Sequence, residues 1–387
     1  MPERSCWPTP AQQDLLLAAL AEPARALPAW QRCREHARST REVGELRLLP
    51  LIDVNLRRAG VAEEDLAYAR AQRRKATVAN EILFRGLAPV VAALRERGIE
   101  TILLKGVALS LRHYEQPGVR PMGDVDVLVS PRNAEQAVAT LLELGFAPKT
   151  PLSARRIELI HAEDFADARG RHIDLHWRLY PQRREEIGGN GTGDELWSRS
   201  RPVELCGVPA RVMSAADELL HVIVHGLHWS PQATLRWASD AAAIAKSTSE
   251  AVEWEVFVAE AQRLRFVAPA RDGLDYLADV VGIAVPVAVR ETLAALPVAG
   301  ADRLEYRLGC RRSTYTVLGG LPIFAFQYAA DARARGRRAT PTGFLAYMAE
   351  YWGYDSVSAV LRRMGKRAVL RAWSVLSGRA LPPPDPV

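Results

Sequence analysis

The sequence predicts an α+β fold: a small mixed β-sheet core with helical regions before and after it in the chain. Three observations predict it. Apolar residues recur at helical spacing through Ala11–Leu20, Glu42–Ala59 and Glu63–Arg97. Short alternating or β-branched runs then cluster between residues 96 and 213. From Ser214 onward the helical period returns. The expected division is an N-terminal helical region at 1–95, an α+β core at 96–213 and a C-terminal helical domain at 214–387.

Each element has a local reason. Gly98 stops the long helix that precedes the core. Thr101–Leu104 is a short apolar strand, broken by Lys105-Gly106, after which Val107–Tyr114 resumes a helical pattern. Asp124–Val129 alternates and is β-branched, which marks a strand. Ser130 and Pro131 open a helix over Pro131–Leu144 that Gly145 closes. Glu163–Ala168 and His172–Leu179 flank Arg169-Gly170 as a hairpin, and Pro202–Leu205 with Ala210–Met213 form a second around Gly207. Ser214, with Asp217 three residues on, starts the next helix as a near capping box. Gly188–Gly193 reads as a loop, and the tail Leu381–Val387 is too proline-rich for a helix.

Composition bounds the function classes. Among 387 residues, 48% are hydrophobic and 25% charged, which excludes a wholly disordered chain. A net charge of +6 admits an anionic ligand without requiring nucleic acid, and no aromatic-basic surface pattern points to a polymerase. Four dispersed cysteines without a CxxC pair argue against a disulfide framework or cysteine zinc site. With no secretory pattern at the start, the expected location is the cytoplasm. The uncharged stretch Ser313–Ala330 holds Gly319, Gly320 and Pro322, so it reads as a buried helix–turn segment rather than a bilayer span.

The chemistry concentrates on Asp124-Val-Asp126. Residues i and i+2 of a strand share a face, so two carboxylates stand together with Val125 and Val127 opposite. Like charges this close repel unless a cation or proton compensates them, and Mg²⁺ bound by carboxylates and substrate phosphates meets that need. Asp174, within the alternating Ile173–His176, supplies a third acid. Lys105-Gly106 sits at a strand-to-helix junction. There a glycine admits close approach of a phosphate, the helix N-terminus offers unpaired N–H donors, and the lysine adds a cation. Arg120 either reaches the phosphates or forms a structural ion pair with Asp124. His176 shares a face with Asp174 and either orients it or touches substrate.

Strand–Gly–helix, then Asp-x-Asp on a strand, then a distal Asp, resembles the nucleotidyltransferase superfamily that includes DNA polymerase β and the aminoglycoside nucleotidyltransferases. More narrowly, Leu103–Leu109, Arg120, Asp124–Leu128 and Ile173-Asp-Leu-His-Trp177 resemble an uncharacterised bacterial nucleotidyltransferase group. Members of that group often lie near peptide natural-product or polysaccharide genes. His225, Arg236-Trp237 and Asp240 resemble its helical region, and the likeness covers roughly residues 80–290. The resemblance implies Asp124, Asp126 and Asp174 as catalytic metal ligands for Mg²⁺, and Gly106 as the phosphate-loop glycine, with Lys105 and Arg120 on the nucleotide. It implies transfer of a nucleoside monophosphate from an NTP, ATP in the first place, to a small-molecule or peptide acceptor. The chain departs from the superfamily where Val107 follows the glycine in place of a serine or glycine, which removes a hydroxyl contact to phosphate.

Other readings stay open on the residues alone. A non-catalytic peptide-binding or partner-binding scaffold, or a phosphotransferase acting on a biosynthetic peptide, uses the same fold. His221, His225 and His228 share a helix face at a spacing that suits a metal, but packing against the sheet explains them better; His225 is kept as a substrate or supporting contact. Arg236, Trp237 and Asp240 read as an interhelical contact. The basic run from Arg362 to Arg379, interleaved with Val369, Leu370, Trp373 and Leu376, predicts an amphipathic helix that packs its apolar side on the domain. An anionic substrate or membrane surface is the alternative partner for its arginines.

Overall fold

A computed structural model describes residues 6–116, 118–180, 194–228, 235–310 and 321–377. It is the expected mixed α+β architecture. Seven strands make one sheet: β1 (Ile102–Leu104), β2 (Val125–Leu128), β3 (Phe146–Pro148), β4 (Ala162–Asp167), β5 (His172–His176), β6 (Arg201–Leu205) and β7 (Val208–Val212). Their order is β3-β4-β5-β2-β1-β7-β6. The pairs β2–β5 and β1–β7 are parallel; the other four are antiparallel.

Both expected hairpins form. Leu205 pairs with Val208 across a two-residue turn in which Cys206 and Gly207 both take positive φ, 50° and 82°. This is the turn type whose twist matches its flanking strands. At the other hairpin, Asp167 Oδ1 accepts hydrogen bonds from the Arg169 and Arg171 backbone N–H groups and folds the turn.

Alternation along the central strands divides the core in two. Leu103, Val125, Val127, Ile173 and Leu175 point to one face, where Leu87, Val91 and Leu94 of the helix Ala67–Glu96 cover them, with Ala137 and Leu141. Ile102, Leu104 and Leu128 point to the other face and join a larger cluster. That cluster includes Leu15, Leu16, Ile52 and Leu56 from the N-terminal helices. From the helices after Ser214 it takes Leu219, Ile223, Trp237, Phe257 and Phe266. One apolar core therefore joins the first helices of the chain to the later ones, with the sheet as its floor.

Several expectations need correction. The helix expected over Glu42–Ala59 is two, Val43–Leu46 and Leu49–Arg58, because Pro50 restarts the helix and leaves Arg47 at the break. The helix expected from Pro131 begins with a 3-10 turn, Pro131–Asn133, before Ala134–Glu143. Strand β2 starts at Val125, so Asp124 stands just ahead of it. Strand β3 and the helix Ala154–Leu159 were not anticipated.

Ser214 does cap the helix Ala215–His228: its hydroxyl accepts from the Asp217 N–H and donates to the Asp217 carboxylate. Farther on, Tyr347, Met348, Trp352 and Val360 form a separate small cluster that packs against Leu159. The basic helix, Val357–Ser377, buries Val360 in it and packs Met364 against it; Val369 and Trp373 are exposed, contrary to the expected packing, because the cluster is too small to cover the whole helix. The loop 188–193, positions 313–320 of the uncharged stretch and the proline-rich tail lie outside the described residues.

Candidate functional site

The register of the sheet assembles the candidate site. Asp126 on β2 lies opposite Asp174 on β5, and Asp174 lies opposite Asp164 on β4. Three carboxylates thus stand in a row across neighbouring strands, an arrangement that destabilises a sheet unless cations join it. They share the face of the sheet that carries Leu104 and Leu128, so the row meets the seam between sheet and helical layer.

Two basic groups join the row. Lys105 follows the last residue of β1, whose partner on β2 is Asp126, and opens the helix Lys105–Arg112. Its Nζ is 2.5 Å from Asp126 Oδ1 and 3.8 Å from Asp174 Oδ2. Its backbone is left-handed, φ 46°, a conformation that L-residues adopt only against about 1 kcal/mol of steric opposition. The double ion pair offsets that strain. His176 Nε2 donates to Asp174 Oδ2 at 2.9 Å and lies 3.4 Å from Asp126 Oδ1. The sequence reading expected bare repulsion among the acids; instead, Lys105 and His176 supply the counter-charge.

The electrostatics follow from these contacts. Burial alone would raise the Asp126 pKa, but the Lys105 ammonium and His176 hold it well below the usual carboxylate range. Asp174 is lowered too, burial being outweighed chiefly by His176. Burial opposes charge on His176, yet Asp174 and Asp126 raise its pKa to about 9. Next to it, the His161 ring meets His176 edge-on at 5.6 Å; burial and the His176 charge push His161 down to about 3.

Asp126, Asp174 and His176 present one ligand atom each within 4.8 Å of one another. The two carboxylates suit a hard divalent cation, while His176, which gives its Nε2 proton to Asp174, stands beside them as a counter-charge rather than as a ligand. Asp124, the third expected ligand, is exposed at the mouth of the site. There it lines an open cavity of about 420 Å³ with Arg47, Gly123, Asp164, His172 and Asp174.

Gly106 and Arg120 are placed differently from expectation. A Cβ on Gly106 would lie 2.4 Å from Arg120 Nη1 and 2.5 Å from Met122 Sδ. Glycine is therefore required by this packing, before any question of a phosphate. Arg120 does form a structural ion pair, but not with Asp124. Its Nε and Nη2 donate to Asp240 Oδ1 and Oδ2, both at 2.8 Å, and Tyr114 OH donates to the same carboxylate at 2.7 Å. Asp240 is thus an interhelical partner as read, while Trp237 packs against Trp7 and Tyr276.

His225 reaches solvent on the helix Ala215–His228 and stacks on His221 at 5.9 Å, within electrostatic range of Lys105 and Asp126. His221 is buried against Tyr180, and neither of its ring nitrogens has a partner. Of the residues singled out from the sequence, the structure brings Lys105, Asp126, Asp174 and His176 together, with Asp124 at the mouth, while Gly106 and Arg120 are engaged in packing and in the ion pair with Asp240. Sequence reasoning missed Asp164, His161 and Arg47. Asp164 was within reach, since the alternation of Glu163–Ala168 already put it on the face of a strand. A second cavity of about 260 Å³, lined by Arg112, Tyr114, Ser239 and Lys246, sits at the far end of the Lys105–Arg112 helix, away from the carboxylate row.

A family model described as an uncharacterised nucleotidyltransferase matches residues 35–282. No curated protein matches the chain. Several solved structures resemble it at low identity. A lincosamide antibiotic adenylyltransferase, LnuA, with lincomycin bound, is 12% identical over 42% of this chain and 96% of its own, with a TM-score of 0.30. The antibiotic-resistance factor ANT(2'')-Ia is 13% identical over 48% of this chain and 90% of its own, TM-score 0.31. An antigenic nucleotidyltransferase-like protein from Paracoccidioides brasiliensis is 13% identical over 57% and 95%, TM-score 0.32.

Proposed function

The chain belongs to the uncharacterised nucleotidyltransferase family, and from that premise we propose that it moves a nucleoside monophosphate from an NTP, ATP first, to a small-molecule or peptide acceptor. Pyrophosphate is the other product, and the cytoplasm is the proposed setting. The observation that carries this reading is the in-register pair Asp126–Asp174, with Lys105 and His176 on it and a helix N-terminus alongside.

In this reading Asp126 and Asp174 hold Mg²⁺, with His176 beside them and Asp124 completing the set from the mouth. When bound, such a metal neutralises phosphate charge and stabilises the charge that develops during transfer. The remaining steps belong to the protein. The N-terminus of the Lys105–Arg112 helix offers N–H donors to a phosphate. Lys105 keeps Asp126 ionised and supplies a cation close to the transferred group. Asp174, partly open to the cavity, orients the acceptor nucleophile and takes up its proton. His225, reaching solvent across the seam, contacts the acceptor. Positioning and charge complementarity do most of the work in phosphoryl-type transfer, and both are provided here by rigid strand ends.

The test is product mass. Cell extract incubated with the protein, Mg²⁺ and each NTP in turn should yield a species heavier by one nucleoside monophosphate, with matching pyrophosphate release. Asp126→Asn should lower that rate by about a thousandfold or more, as loss of a charge-stabilising group does. Addition of a single phosphate would establish the phosphotransferase alternative instead. No mass change with any NTP would leave only the scaffold reading.

A further inference from the structure

Three arginines stand near the carboxylate row, and among the described residues only one of them, Arg120, has an ion pair. Arg120 is 5% exposed, and Asp240 occupies its Nε and Nη2; its Nη1 is buried, has no hydrogen-bond partner and lies against Gly106 at the start of the helix. Arg236, the first residue of the helix Arg236–Ala245, has a buried Nη2 that is also without a partner. Arg47, at the break between the helices Val43–Leu46 and Leu49–Arg58, lines the cavity that holds Asp124 and Asp174. Neither Arg47 nor Arg236 makes an ion pair among the described residues.

A guanidinium drawn partly out of water without an anion beside it is disfavoured. The strain is visible in their acidities. Burial, then Arg120 and Arg47, pulls the Arg236 guanidinium down to about 10. Burial lowers Arg47 as well, with Asp124 opposing and Arg120 adding to the effect. Asp124 and Asp240 lie within electrostatic range of these like charges, but neither forms an ion pair with Arg47 or Arg236 among the described residues. Their fork geometry suits phosphate oxygens in particular.

We propose that Arg47, Arg120 and Arg236 form a clamp for the terminal diphosphate of the NTP, the part that departs as pyrophosphate. The proposal rests on the nucleotidyltransferase reading and adds residues from outside the sheet to it. In the step it serves, the acceptor nucleophile forms a bond to the α-phosphorus and the bond from that phosphorus to the α,β-bridging oxygen breaks. The electron pair of the broken bond stays on that oxygen, so the leaving pyrophosphate gains one negative charge, and the acceptor's proton passes to Asp174. The guanidiniums receive the new charge. Arg47 comes from the N-terminal helices and Arg236 from the later ones, so the helical layer completes the nucleotide site.

Titration calorimetry on the full chain tests this with inorganic pyrophosphate, ATP and AMP against wild type, Arg47→Gln, Arg236→Gln and Arg236→Lys. Each Gln variant should weaken pyrophosphate and ATP by about tenfold or more, the worth of a charge-assisted contact, and leave AMP unchanged. Without ligand, its melting temperature should stay level or rise, because a like charge has been removed. Arg236→Lys should recover part of the affinity, which separates lost charge from misfolding. Unchanged pyrophosphate affinity, an equal loss for AMP, or a lower ligand-free melting temperature in the Gln variants would overturn the clamp. If the clamp fails while wild type still adds nucleoside monophosphate to an acceptor, the functional reading survives it. If pyrophosphate binds through these arginines and no adduct forms with any NTP, the clamp stands and the functional reading falls.

Discussion

Asp53 and Asp240 each gather arginines, but they differ in how much of the gathered charge they can hold. Asp53 is fully buried; Arg73 Nε donates to it at 2.7 Å, while Arg57 and Arg70 lie 3.4 and 3.8 Å away. Those three arginines sit partly in water and each lies within 4 Å of the Asp53 carboxylate, although Arg70 Nε is buried without a hydrogen bond. Asp240 has Arg120 and Tyr114 filling its oxygens, and Arg47 and Arg236, both half-buried, are left without an acid to pair with among the described residues. A paired cluster of guanidiniums ties helices together. A half-buried cluster with too few acids is a place for a ligand's negative charge.

Substituting the two acids sharpens this contrast. The largest effect is expected from Asp240→Asn. Arg120 is almost wholly buried, so losing its acid leaves an uncompensated charge, a loss of about 3–5 kcal/mol in unfolding free energy. Denaturant titration measures it directly. The site-specific part is rescue: pyrophosphate at a hundredfold over its dissociation constant should return about 2.7 kcal/mol by linkage. If the variant is as stable as wild type, Arg120 does not depend on Asp240. If it is destabilised and pyrophosphate restores nothing, the cluster around Arg120 is not an anion site.

Asp53→Asn comes second, at about 2–4 kcal/mol, because its arginines can turn to solvent when the acid is gone. Pyrophosphate should stabilise this variant by no more than it stabilises wild type. A specific rescue here would erase the distinction between the two clusters.

Much of the acidic half of the site was legible in the sequence, and much of the basic half was not. Asp126 and Asp174 stood out because strand alternation fixes their face whatever the partner strand is, and the Lys105-Gly106 junction was marked by a change of period. Their pairing in register could not be read, since register depends on which strands meet. Lys105 was expected to serve phosphate alone; its ion pair with Asp126 needs the β1–β2 pairing to be known. Arg47 carries no local signal, and Arg236 is marked only by the family resemblance of Arg236-Trp237 and Asp240, where it reads as an interhelical contact. In a chain with 51 lysines and arginines, a lone arginine at a helix end is ordinary, and only tertiary packing brings these two to Arg120. Strand β3, Phe146–Pro148, escaped notice because three residues are too few to show a period. The helical layer was legible as helices, but not as one core shared by the two ends of the family-matched region.

The smallest expected effect requires no charge-removing substitution in an arginine cluster, only a change of pH, and it concerns the fully paired group at Asp126. His176 has its pKa raised from 6.5 to about 9 by Asp174 and Asp126, against burial. A base with a raised folded pKa adds stability that is complete below the unfolded value and disappears as pH climbs through the folded one. Metal-free protein should therefore lose roughly 1–3 kcal/mol between about pH 6.5 and pH 9. On the acid side the sign reverses. His161 is pushed down to about 3, and burial holds His221 well below its ordinary value. Both must stay neutral in the folded chain, so their contribution is complete above pH 6.5 and falls as pH drops beneath it. Stability should peak near pH 6.5, with the alkaline fall belonging to His176 and the acid fall to its buried neighbours. Urea midpoints from pH 5 to pH 9, on wild type and His176→Gln, separate the two limbs. The variant should lose the alkaline slope and keep the acid one. An alkaline slope that survives in His176→Gln would mean that the imidazolium is not what balances Asp126 and Asp174, and Lys105 alone would then carry the pairing.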